Sequence, residues 1–291
     1  MTVLAPMCPV CGARQARPWG RRSGHVIFQC MACMATYFDR NTLEVRNYDD
    51  YYPYLAKYGL SDVQYEVSIR RRSVARQIQE IGELVAGRRL LDVGAGPGYF
   101  CAVAKECGWS AVAVEVSEPA INVGRRMLGV EYVELDSIDD GQLDVVACRH
   151  VVEHIEWPSE FLGLLVRKLC SGGILVIHVP HQEPLSFWLR NRLGSCLQLK
   201  RDTHCALYVP DHLTGFTRKS LGCLMNRVGC DPVFVKSRSM WSKYYDPFFL
   251  RGLLKNHRYG ALMKQCVRHV IENVGVLVGR GDWIVGYFRK A

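Results

Sequence analysis

Four cysteines stand in two matched pairs, Cys8-Pro-Val-Cys11 and Cys30-Met-Ala-Cys33, with 18 residues between them. Thiolates separated by two residues can take two corners of a tetrahedron from one tight turn, and Gly12 lets the chain curl around an ion. The spacing C-x2-C-x18-C-x2-C predicts a Zn²⁺ held by Cys8, Cys11, Cys30 and Cys33. Four protein ligands leave no open coordination position, so the predicted role is structural. His25 lies between the pairs, but four thiols already complete the set. The segments HVIFQC and MATYF are apolar and β-prone, which places each knuckle on a short hairpin. A ribbon this small has little core of its own and would depend on its metal to fold.

A second constellation begins at Arg89-Leu-Leu-Asp-Val-Gly-Ala-Gly-Pro-Gly-Tyr-Phe100. It reads as a buried strand, a glycine-rich turn and a helix. Gly94, Gly96 and Gly98 let the backbone turn sharply and approach a ligand, with the N–H groups of a helix start pointing at it. A second predicted strand, residues 111–115, ends in Glu115, 23 residues after Asp92. That is where a ribose-binding carboxylate belongs.

With those residues in view, LDVGAGPGYF resembles motif I of class I S-adenosylmethionine-dependent methyltransferases. The remaining segments follow that family's order: VEYVELD ends a third strand at Asp136, and residues 143–150 form a fourth. VVEHIEWP resembles the V-x-E-H-x-x-x-P segment that comes next, residues 172–180 a fifth strand, and GRGDWIVGYFRK the last one. The resemblance covers about residues 85–291. It implies an α/β fold, a Rossmann-like seven-stranded sheet with flanking helices, carrying the zinc ribbon at its amino terminus. It further implies that Gly94, Ala95, Gly96 and Gly98 wrap the amino-acid part of S-adenosylmethionine, with Asp92 nearby. Glu115 would accept from both ribose hydroxyls, Asp136 and Ser137 would lie beside the adenine, and His150 would lie near the methionine end. Asp139 and Asp140 compete for the place of Asp136 in an acidic loop.

The acceptor side is read from residues 208–217, where P-x-H-L-x-x-F resembles bacterial methyltransferases of small molecules and glycan precursors. It also resembles the E-H-[FL]-x-x-[FY] segment of deoxysugar C-methyltransferases, which likewise begin with a zinc module. In those enzymes a histidine is the general base and a tyrosine assists, which falls here on His212 and Tyr208. The tyrosine spacing differs by one, and nothing in these 291 residues reads as the large carboxy-terminal domain of those enzymes. His154 is the second candidate base, ahead of His181 and His150. The expected reaction is methyl transfer to a small-molecule or sugar-containing metabolite. The alternative is methylation of an rRNA or tRNA base, with the ribbon and a basic surface binding RNA. The string His150-Val-Val-Glu153-His154 matches H-x-x-E-H, a zinc-protease pattern. It begins at the end of a core strand, so that reading is set aside.

The elements that must position these groups fit 291 residues: a ribbon over 1–45, a helical connector over 46–88 and a methyltransferase domain over 89–291. The connector opens with Tyr48, Tyr51, Tyr52, Tyr54 and Tyr58 and continues as a helix over 64–85. A helical insertion over 240–275 precedes the last strand. At 49% hydrophobic and 22% charged, the chain is too apolar for disorder. Lys+Arg 37 against Asp+Glu 28 leaves +9, compatible with a phosphorylated substrate or RNA. Thirteen cysteines, an odd number, without a secretory signal predict reduced thiols in the cytoplasm. No apolar run is long enough for a transmembrane helix.

Overall fold

The computed structural model describes residues 5–38, 59–189, 211–239 and 270–291. The expectations for the five connector tyrosines, for Tyr208 and for residues 240–269 of the insertion lie outside them.

The ribbon is an antiparallel meander of β1 (Ala16–Arg22), β2 (His25–Cys30) and β3 (Thr36–Phe38). Ser23 and Gly24, with φ of 47° and 81°, form the two-residue turn between β1 and β2. Positive φ at both positions matches the twist of the paired strands. Helix α1 (Leu60–Gly82) follows and buries Val63, Val74, Ile78 and Ile81, a helical spacing. It begins before the expected residue 64 and stops short of 85.

The main sheet has the order β5-β4-β6-β7-β10-β9. β4 (Arg89–Val93), β5 (Ser110–Val114), β6 (Leu143–Arg149) and β7 (Leu169–Pro180) run parallel. β10 (Trp283–Lys290) lies antiparallel between β7 and β9 (Cys230–Arg238). Successive residues of the parallel strands enter opposite cores. Leu90, Val145, Ala147, Ile174 and Val176 pack with α1 and with Phe100 of α2 (Tyr99–Glu106). Leu91, Val146, Cys148, Leu175 and Ile177 pack against α4 (Pro158–Lys168) and α5 (Arg218–Arg227), while α3 (Glu118–Val123) follows β5. Burial on both faces is why these strands read as nearly unbroken apolar runs.

The third strand of the expected seven is reduced to one parallel bridge, Ala113 with Tyr132, supported by two hydrogen bonds of 2.9 Å. Beyond Val133 the chain leaves the edge and coils into a 3-10 turn at Leu135–Ser137. Asp136 and Ser137 are exposed there, while Leu135 and Ile138 turn into the buried cluster that holds Leu91 and Leu143.

The ribbon does not stand apart. β8 (Thr214–Gly215) adds to β3 as its fourth strand, and Phe216 forms a parallel bridge to His181 just past the end of β7. Cys8, Val10, Phe28, Cys30, Cys33 and Tyr37 share one buried cluster with Phe216, Leu221, Leu224 and Met225. Arg227 donates to the carbonyl of Cys11 at 3.0 Å. The core that a ribbon lacks by itself is supplied by the larger domain. Among the described residues, no helix is long and apolar enough to cross a membrane.

Phe216 is fully buried in that shared cluster. Phe216→Ala is expected to lower stability by about 3–5 kcal/mol. Denaturant titration checks this: circular dichroism and the unmasking of the ribbon thiols should move to the same lower midpoint.

Candidate functional site

Four parallel strands end on one edge of the sheet, and the crevice beyond such an edge is where ligands bind in open α/β folds. At the end of β4 the chain turns through Gly94, Gly96 and Gly98, with φ of 64°, 56° and 78°. The N–H groups of Gly94 and Ala95 donate to the carbonyl of Val114, at 2.8 and 3.2 Å, tying the turn to β5. A Cβ at Gly94 would run into the side chain of Val151, so the turn admits only glycine there. Tyr132 donates its hydroxyl to the carbonyl of Gly96 at 2.8 Å.

Two acids flank this turn. Asp92 is 1% exposed, and neither carboxylate oxygen has a hydrogen-bond partner among the described residues. Burial pushes its pKa up, and Arg149, 3.6 Å away, only partly opposes the shift. The Arg149 guanidinium in turn lies over the Phe100 ring, 4.1 Å from its centroid. Glu115, just past β5, accepts from Gly96 N–H at 2.6 Å through Oε2, and from Val116 and Ser117 N–H through Oε1 at 2.8 and 3.1 Å. Asp136 and Ser137 are exposed on the 3-10 turn, and Ser137 Oγ donates to the carbonyl of Glu134 at 2.7 Å.

The histidines gather past β6. His150 takes a left-handed conformation, φ 59°, with its ring 4.8 Å edge-on from Trp283. Its Nδ1 stands 3.5 Å from Oε1 of Glu153, too far for a good hydrogen bond. Glu153 is 1% exposed, and both its oxygens lack a hydrogen-bond partner among the described residues. Burial would raise this carboxyl, but the imidazoles of His150, His154 and His212 outweigh it and hold the pKa below its ordinary value. His154 and His212, far apart in sequence, meet edge-on at 4.8 Å. His154 Nδ1 lies 2.7 Å from the carbonyl of Asp211, and Leu213 N–H donates to the carbonyl of Glu153 at 2.7 Å. His181 is set apart from this group. Its Nδ1 faces the Gly281 carbonyl at 3.0 Å, and burial lowers its pKa to about 4.

The four predicted thiols converge as a separate centre. Cys8 and Cys33 sulfurs are 3.6 Å apart, those of Cys11 and Cys30 3.5 Å. Tetrahedral sulfurs at about 2.3 Å from one ion stand about 3.8 Å apart, so this donor set could hold a metal. The two knuckles match: Gly12 N–H bonds to the Cys8 carbonyl, Met34 N–H to that of Cys30, with φ of 76° and 69°. Contact with the Cys33 sulfur draws the Cys8 thiol down to about 5, and the same contact drives Cys33 up.

Two residues escaped the sequence reading. Arg149 carries its signal in being a cation at the carboxyl end of an otherwise buried strand, opposite a buried acid. Glu153 was in plain view in H-x-x-E-H, whose protease reading drew attention away from its acid.

Residues 67–234 match the family described as a methyltransferase domain. Over 104 residues the chain is 34% identical to the mitochondrial ubiquinone biosynthesis O-methyltransferase of Schizosaccharomyces pombe, covering 32% of this chain and 38% of that protein. Over 101 residues it is 37% identical to the demethylmenaquinone methyltransferase of Clavibacter sepedonicus, 32% of this chain and 41% of that one. The chain thus spans about four-tenths of the length of these relatives. Phosphoethanolamine N-methyltransferase 2 of Haemonchus contortus, solved in complex with S-adenosyl-L-methionine, superposes with a TM-score of 0.50 at 15% identity. That match covers 84% of this chain and 60% of the other, and shows the fold alone.

Arg149→Ala leaves Asp92 buried without its cation and is expected to cost about 3 kcal/mol at neutral pH. The folded-state pKa of Asp92 is raised, so the acid is tolerated when protonated and destabilises as pH rises through that value. The deficit of the variant should therefore be small while Asp92 is protonated in the parent and grow as pH rises through that raised value, read by urea denaturation at each pH.

Proposed function

The chain belongs to the methyltransferase-domain family, and on that premise we propose that it transfers a methyl group from S-adenosylmethionine to a small-molecule acceptor. The observation that carries the reading is the glycine turn between β4 and α2, closed onto Glu115 and lying beside the buried Asp92. The residues present fit the methyl donor. Asp92 offers two buried acceptor oxygens without donors, which the ammonium of an amino-acid moiety supplies. Gly94, Ala95, Gly96 and Gly98 bring backbone close to that moiety with no side chain but the Ala95 methyl in the way.

The donor supplies a methyl group already activated on a sulfonium, which a nucleophile displaces in line. The protein's part is to bind, orient and exclude water. Glu115 presents Oε2 to the ribose hydroxyls in exchange for the N–H of Gly96, keeping Oε1 on Val116 and Ser117. Asp136 and Ser137 lie on the side of the adenine. His150, strained and set against Trp283, borders the methionine end. His154 and His212 face the acceptor and deal with its proton, by accepting it or by holding a group that lowers its pKa. The role considered for Tyr208 lies outside the described residues.

An oxygen acceptor is supported by the names of the O-methyltransferases among the relatives. A sugar-containing metabolite rests on the resemblance around His212. RNA gains nothing from those names. The cysteine centre is proposed to hold a structural Zn²⁺, on the soft four-thiolate donor set and its tetrahedral spacing. The ten free cysteines among the described residues suit a reducing cytoplasm.

Glu115→Ala is expected to weaken S-adenosylmethionine binding by about 10–100-fold in calorimetry, the loss of two charge-assisted hydrogen bonds. Unchanged affinity refutes the assignment. Methyl-labelled donor, incubated with fractionated lysate, should label the metabolite pool; label confined to RNA overturns the small-molecule reading. For zinc, elemental analysis should find one equivalent in the purified protein, and chelation should lower the melting temperature of the whole fold. Much less than one equivalent counts against the ribbon site.

A further inference from the structure

We propose that Glu153, His154 and His212 form a second metal centre, a site for one divalent transition-metal cation distinct from the cysteine cluster. One carboxylate and two imidazoles converge there, with ligand atoms all within 4.8 Å of one another. An ion placed among atoms so spaced is no more than about 2.8 Å from each, and a small inward rotation reaches bonding distances of about 2.0–2.2 Å.

Two independent observations point to a cation. The first is Glu153, 1% exposed, with neither oxygen hydrogen-bonded among the described residues. His150 Nδ1, 3.5 Å away, is too distant to bond it well, so the carboxylate keeps two buried oxygens short of partners, and a cation bound between it and the two imidazoles would complete them. The second is the outer contact of His154. A carbonyl oxygen can only accept, so the 2.7 Å contact with Asp211 puts the proton on Nδ1. In the neutral ring the lone pair is then on Nε2. A backbone carbonyl on the far nitrogen is the usual support of a metal-ligating histidine, setting its tautomer and raising its basicity. The Leu213 N–H to Glu153 carbonyl bond holds the segment carrying His212 in place against the other two ligands.

The donor set is that of cations that accept imidazole nitrogen and carboxylate oxygen together, zinc and its first-row neighbours. Three protein ligands leave at least one position open, the mark of a centre that meets a substrate. Val151, two residues before Glu153, packs against Gly94 of the glycine turn, which puts the centre beside the proposed methyl-donor site. Resting on the methyl-transfer reading, the open position takes an acceptor hydroxyl. The cation lowers its pKa and its proton leaves to water. The resulting oxygen anion forms the O–CH3 bond as the S–CH3 bond breaks, and the sulfonium becomes a neutral thioether.

The test is calorimetric titration of the full-length protein, carrying one equivalent of Zn²⁺ on its cysteines and stripped of any other metal by a weak chelator, with Co²⁺, the near-ultraviolet spectrum being followed in parallel. The expected result is one equivalent bound without a sulfur-to-cobalt charge-transfer band. Glu153→Gln and His212→Gln, each checked for an unchanged far-ultraviolet spectrum, should each weaken binding at least tenfold. Their S-adenosylmethionine affinity should stay within about twofold of the parent. Co²⁺ binding that is absent in the parent, carries the thiolate band, or is equal in the parent and both variants overturns the proposal. None of these outcomes touches the donor-site reading, which the Glu115→Ala calorimetry tests separately.

Discussion

Seven residues, 211–217, tie the molecule together through their backbone. The carbonyl of Asp211 meets His154, the N–H of Leu213 reaches the carbonyl of Glu153, and Thr214 and Gly215 pair with β3. The carbonyl of Phe216 accepts from Gln182 N–H, and beyond these backbone contacts the Thr217 hydroxyl caps α5 by accepting from Ser220 N–H. Buried backbone groups must be paired, so each contact constrains the next. Gly215 lies so close to β3 that a Cβ would run into Thr36 Oγ1. Through this one stretch, the ribbon, the end of β7 and the imidazole cluster share a single geometry.

That linkage gives the cysteine centre a consequence beyond its own loops. The knuckles fix β2 and β3; β3 pairs with β8; and β8 continues the chain that carries His212. A structural metal at the amino terminus would thereby help hold an imidazole 179 residues after Cys33. Cysteine spacing alone suggests an appendage. The shared buried cluster of Cys30, Tyr37, Phe216 and Leu221 makes it a wall of the main domain.

The site itself rests on two buried acids, and the protein treats them differently. Asp92 faces a single guanidinium at 3.6 Å, which does not offset its desolvation. Glu153 faces three imidazoles, which together do. One acid is thus left short of donors beside the glycine turn, and the other is ionised where cationic or metal chemistry would need it. Distance and burial produce both states from the same carboxyl chemistry.

Much of this was legible in sequence because it is local. The apolar runs of β4, β6 and β7 mark strands buried on both faces, G-x-G-x-G marks the turn, and C-x2-C pairs mark the knuckles. The third strand did not form as read, because apolar pattern alone does not say whether an edge offers a face to pack on. Nor could sequence join residues far apart in the chain. Asp92 to Arg149, and Glu153 to His212, are neighbours only because parallel strands bring their carboxyl ends to one edge and residues 211–217 return across it. The sequence by itself determined which residues can do chemistry and which backbone turns can carry them, since both follow from residue type and short spacing. Only the tertiary structure decided which charges are buried together, because burial depends on contacts made from every part of the chain.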